Sequence, residues 1–105
     1  MTKFIKQFRD LGATNCFANG MCYWFAFILE ARFPGGEIVY DEIANHFAYK
    51  FSDKIYDITG EINDDHAWKQ WSTFSETDKL LYNRIIRDCI NKEDGPWVFV
   101  LFLIL

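Results

Sequence analysis

The chain has 105 residues, half of them hydrophobic and 19% aromatic, with a net charge of −4. That is one domain, residues 1–105, with ample material for a core, and it excludes an intrinsically disordered chain. The 11 basic residues form no cluster, so no nucleic-acid partner is expected.

Taken in order, the chain opens on Met1-Thr2-Lys3-Phe4-Ile5-Lys6, which lacks the apolar core of a signal peptide. A cytoplasmic location is therefore expected, where Cys16, Cys22 and Cys89, an odd number, stay reduced. Thr2 to Asp10 reads as a helix with an apolar stripe at Phe4, Phe8 and Leu11, ended by Gly12. Asn15 and Asn19 are both suitable caps for a second helix. That helix runs to about Arg32 and stops before Phe33-Pro34-Gly35-Gly36. Its body, Tyr23-Trp24-Phe25-Ala26-Phe27-Ile28-Leu29, is apolar all round, which predicts the central helix.

Glu37 to Tyr40 reads as a short strand and Asp41 to Ala44 as a turn. Asn45 to Phe51 and Lys54 to Thr59 read as a hairpin around Ser52-Asp53, with Gly60 closing the second strand. Glu61 to Asp65 reads as a polar loop and His66 to Trp71 as one helical turn. Trp68 and Trp71 are assigned to packing, and Asp64-Asp65-His66 to a polar loop rather than a metal site. No metal and no cofactor is expected. Ser75 to Lys92 has the pattern of an amphipathic helix. The tail, Trp97 to Leu105, is entirely apolar. Its nine residues are too few for a membrane helix, which needs about 20, so no membrane span is expected. It reads as a buried strand, covered by this chain or by a second copy in a homodimer.

Cys22 lies at the start of the apolar helix. Unpaired backbone N–H groups and the partial positive charge of a helix N-terminus favour thiolate over thiol. Cys16 is a rival: if Asn15 caps the helix, Cys16 takes its first turn. Gly20 just ahead of Cys22, which lets the backbone turn closely, favours Cys22. A two-residue loop at Ser52-Asp53 places Phe51 opposite Lys54 and Ala48 opposite Asp57. His46 shares a sheet face with Ala48, so Asp57 sits diagonal to His46 on one face. A three-residue loop would part them. A bland reading makes Cys22 a small buried side chain and His46 and Asp57 ordinary strand residues, although Asp is disfavoured inside strands.

Gly20-Met21-Cys22 opening a helix, Asn45-His46-Phe47 on a strand and Lys54-Ile55-Tyr56-Asp57-Ile58-Thr59-Gly60 on the next resemble the papain-like thiol hydrolase superfamily. That group spans papain-type proteases, bacterial cell-wall peptidases, transglutaminase-like and arylamine-acetyltransferase-like proteins, and small bacterial and phage proteins of the same order. The resemblance covers about Asn15 to Gly60. It implies an α+β fold, with a central Cys-bearing helix packed on a small antiparallel sheet and helices on the flanks. It also implies acyl transfer at an amide bond of a protein or peptide, with Cys22 as nucleophile, His46 as base and Asp57 as orienter. The Cys22 N–H and Asn19 or Asn15 would stabilise the oxyanion. Only 24 residues separate Cys22 from His46, far fewer than in full-length proteases, which leaves little room for a cleft. The competing expectation is a non-catalytic binding or inhibitory protein, of the kind phages encode, using this fold as a scaffold.

Overall fold

The structure is a computed structural model and describes residues 1–12, 14, 21–62, 67–73, 79–80 and 83. Two helices, α1 (Thr2–Asp10) and α2 (Cys22–Arg32), precede a sheet. Its strands are β1 (Glu37–Asp41), β2 (His46–Phe51), β3 (Lys54–Asp57), β4 (Gly60–Ile62) and β5 (Lys69–Gln70). Their order is β4-β3-β2-β1-β5, with every pairing antiparallel. The fold is α+β, with the Cys-bearing helix packed chiefly on the central strand β2.

α1 has the expected bounds but a different buried stripe. Ile5 and Phe8 are fully buried, whereas Leu11 is 62% exposed. Leu11 is the C-cap, beyond the last turn, and Gly12 follows at φ +80°, so the helix ends before Leu11 can rotate into the core. Phe4 and Phe8 meet edge to face at 5.2 Å, and Phe8 meets Phe25 of α2 in the same way.

α2 begins at Cys22. Its N-cap is Met21, with no side-chain hydrogen bond. Cys22, Phe25, Ala26, Ile28 and Leu29 form its buried face. The helix ends at the expected Arg32. The following turn is held by Tyr49, whose hydroxyl donates to the Phe33 carbonyl and accepts from the Gly36 N–H at 2.9 Å. Gly36 fits there because it has no side chain: a Cβ would collide with the Lys50 carbonyl oxygen and lie 2.7 Å from the Tyr49 ring.

The β2–β3 hairpin turns at Ser52 and Asp53, both at positive φ (51° and 63°), the twist that suits a two-residue connection. Phe51 pairs with Lys54, Lys50 with Ile55 and Tyr49 with Tyr56. The alternation splits the sheet into two faces. Tyr40, Phe47, Tyr49 and Tyr56 join α1 and α2 in the main core, while Val39, Ala48 and Ile55 form a second cluster with Ile62 and Trp68.

The expected strand end at Thr59 and loop over Glu61 to Asp65 are corrected. β3 stops at Asp57, Ile58 and Thr59 make the turn, and Gly60 at φ +109° opens β4 instead of closing β3. The helical turn expected over His66 to Trp71 is also corrected, since Lys69 and Gln70 pair with Tyr40 and Val39. Helix begins only at Trp71. Asn15, Cys16, Asn19, Gly20, Asp64, Asp65, His66, Cys89, most of the helix expected over Ser75 to Lys92 and the apolar tail lie outside the described residues. Among the described residues no helix is long and apolar enough to cross a membrane.

Candidate active site

Three elements converge on one point. Cys22 is the first residue of α2, His46 the first of β2 and Asp57 the last of β3. The hairpin register continues by one step to Ala48 opposite Asp57, which sets Asp57 diagonal to His46 as the loop parity requires. His46 Nε2–H donates to Asp57 Oδ2 at 2.9 Å, with the two side chains 21% and 12% exposed. Cys22 is nearly buried, at 6% exposure, and its Sγ accepts the Phe47 N–H at 3.4 Å. The sulfur also lies near enough to the His46 ring to help raise its pKa. Because Nε2 faces Asp57, Nδ1 is the nitrogen left for the sulfur.

The charges follow from these contacts. The hydrogen bond to Asp57 first, and the nearby Cys22 sulfur second, lift the His46 pKa from 6.5 to about 10 against the opposing effect of burial. The ring is thus an imidazolium at neutral pH. Burial pushes the Asp57 carboxyl up, but hydrogen bonds from His46 and Thr59 outweigh it, and its pKa lies below 3.8. The sulfur thus stands at a helix N-terminus beside an imidazolium. The Cys22 N–H, at the first helical position, has no carbonyl of its own helix to bond.

Four further residues shape the site. Thr59 donates its N–H at 2.7 Å and its hydroxyl at 2.5 Å to Asp57 Oδ1. Asp41 is buried and pairs across the ladder with His46. Its Oδ1 accepts the Ile43 N–H at 3.0 Å and tightens the turn before β2. Asn45, at φ 50°, accepts the Tyr40 hydroxyl at 2.7 Å and fixes the backbone one residue ahead of His46. Asp-x-Thr before a glycine is a side-chain-to-backbone turn signature, and it was the available signal for Thr59. The aromatic assignment of the tryptophans holds for Trp71, which packs on Phe47 and Tyr40. Trp68 sits beside His46, ring centroids 6.1 Å apart. A groove of about 640 Å³ on the second sheet face, with Val39, Ile55, Ile62 and Trp68 in its lining, does not reach Cys22. Among the described residues, no group of three or more His, Cys, Asp or Glu is placed to hold a metal ion.

Fold and site together define a small α+β protein in which a helix-opening cysteine meets a histidine–aspartate pair from the adjoining strands. The family model described as Phage YunG-like protein matches residues 1–98, and the chain belongs to that family. Neither the curated proteins nor the solved structures contain a significant match.

Proposed function

We propose that the protein is a compact papain-like cysteine hydrolase or acyl-transfer enzyme acting on an amide bond of a peptide or protein. The observation that carries this reading is the hydrogen-bonded His46–Asp57 pair beside Cys22, with the sulfur at a helix N-terminus. Cys22 thiolate attacks the amide carbonyl carbon to form a tetrahedral oxyanion, which the Cys22 N–H faces. The C–N bond breaks as the His46 imidazolium gives its Nδ1 proton to the leaving amine. The thioester remains. Neutral His46 then takes a proton from water, whose oxygen attacks the thioester carbon; the acid leaves and the sulfur is restored with the imidazolium. An amine in place of water gives transfer. Asp57 keeps Nε2 protonated, so that Nδ1 always faces the sulfur.

The low exposure of Cys22 favours a second reading, a binding or inhibitory protein that keeps this fold as its scaffold. Cys22→Ala separates the two. Under the catalytic reading the variant folds, shown by an unchanged circular-dichroism spectrum, and loses all biological and thiol-dependent activity. Retained activity in the alanine variant overturns the catalytic reading in favour of the scaffold.

A further inference from the structure

The carboxylate of Asp57 is held asymmetrically. Among the described residues, Oδ1 receives two donors, the Thr59 N–H at 2.7 Å and the Thr59 hydroxyl at 2.5 Å, while Oδ2 receives only His46 at 2.9 Å. The terminal torsion of an aspartate is soft, so the backbone pairing of Asp57 with Gly60 does not by itself fix the carboxylate. We propose that Thr59 is a positioning residue that fixes the Asp57 carboxylate with Oδ2 toward His46, and through His46 aligns Nδ1 with Cys22. This inference rests on the catalytic reading of that line.

Thr59 is itself anchored. Its neighbour Ile58 is 1% exposed in the main core, and the Thr59 carbonyl accepts Arg9 Nη1–H of α1 at 3.2 Å. The Thr59 side chain is exposed, so a serine there keeps the hydroxyl and a valine removes it without opening a cavity. Among the described residues, the titratable groups facing His46 are Cys22 from α2, Asp41 from β1 and Asp57 from β3, and of these only Asp57 is touched by Thr59.

The test compares wild type, Thr59→Val and Thr59→Ser, reading the His46 ring titration by NMR and the pH profile of Cys22 alkylation by iodoacetamide. Without the Thr59 hydroxyl the Asp57 carboxylate can turn from His46, whose pKa it is the leading cause of raising, so valine lowers the His46 midpoint by about one unit. The break that His46 imposes on the Cys22 alkylation profile moves down in pH with it, while the rate at neutral pH stays within about twofold, because a ring with a midpoint of about 9 remains protonated there. Serine restores both. A valine midpoint equal to wild type, or serine and valine shifted alike, overturns the proposal. Should valine prevent folding, the wild-type Thr59 hydroxyl proton decides: slow exchange at low temperature supports the bond to Asp57, and fast exchange overturns it. The His46 midpoint tests Thr59 whether or not Cys22 reacts, whereas a wild-type Cys22 that reacts no faster than free cysteine defeats the catalytic reading alone.

Discussion

Asp57→Asn is the perturbation with the sharpest expected outcome. An amide has one acceptor oxygen and one donor nitrogen. The two Thr59 donors at the Oδ1 position claim the oxygen, which turns the NH2 toward His46. A donor then faces Nε2, so the ring holds its proton on Nδ1 and presents a donor, not a base, to Cys22. The raise of the His46 pKa from 6.5 to about 10 corresponds to about 5 kcal/mol of preference for the imidazolium in the fold. Asp57 is its leading cause, with Cys22 second. Loss of Asp57 therefore removes ~3 kcal/mol and lowers the midpoint by about two units, to about 8. A raised histidine contributes its stability fully below pH 6.5 and loses it as pH rises through about 10. Denaturant melts should then show the variant weaker than wild type by ~3 kcal/mol at pH 6, with the gap closed above pH 10. Turnover, once a substrate is known, should fall on the order of 10⁴, the scale of this swap in hydrolase triads. An NMR midpoint that stays near 10 in the variant, or an equal loss of stability at pH 6 and above pH 10, refutes the argument.

Other outcomes follow from the same contacts. Acid acts through Asp57, whose pKa is depressed, so its contribution is complete above pH 3.8 and vanishes as pH falls through its folded value; stability curves of wild type and Asp57→Asn should converge at the acid end. Gly36→Ala drives a methyl into the Lys50 carbonyl and the Tyr49 ring, and should cost about 1–3 kcal/mol in a thermal melt. Asp53→Gly removes a non-glycine residue from positive φ in the β2–β3 turn and should stabilise by ~1 kcal/mol, measured as a raised denaturant midpoint. Phe8→Ala empties a fully buried ring site and should cost about 3–5 kcal/mol, tested by the same melts.

The parts of this fold that could be read from the chain are those where local chemistry and burial agree. Phe33-Pro34-Gly35-Gly36 stops α2 whatever surrounds it, and Ser52-Asp53 between two aromatic runs carries its own turn. Loop parity then puts His46 and Asp57 on one face, because side-chain alternation leaves no other outcome. The short edges were illegible for the opposite reason. β5 is two exposed polar residues whose strand identity comes only from hydrogen bonds to β1, and β4 has just three residues. Neither is long enough to show a period. The start of α2 was ambiguous because the asparagines upstream compete as caps, whereas the helix opens after Met21 without a side-chain cap. Thr59 escaped notice because its function lies in two hydrogen bonds to a residue two positions earlier, not in any pattern of hydrophobicity.

The sulfur of Cys22 serves two masters. In the proposed reaction it is the atom offered to an incoming carbonyl, and it is also the acceptor for the main-chain amide of Phe47, at the middle of the aromatic cluster that joins α2 to the sheet. Every change in electron density at that atom is therefore felt by a backbone proton deep in the protein. The Phe47 amide resonance becomes an internal gauge: ionisation, alkylation or acylation of the thiol should each displace it, in a protein that carries no added label.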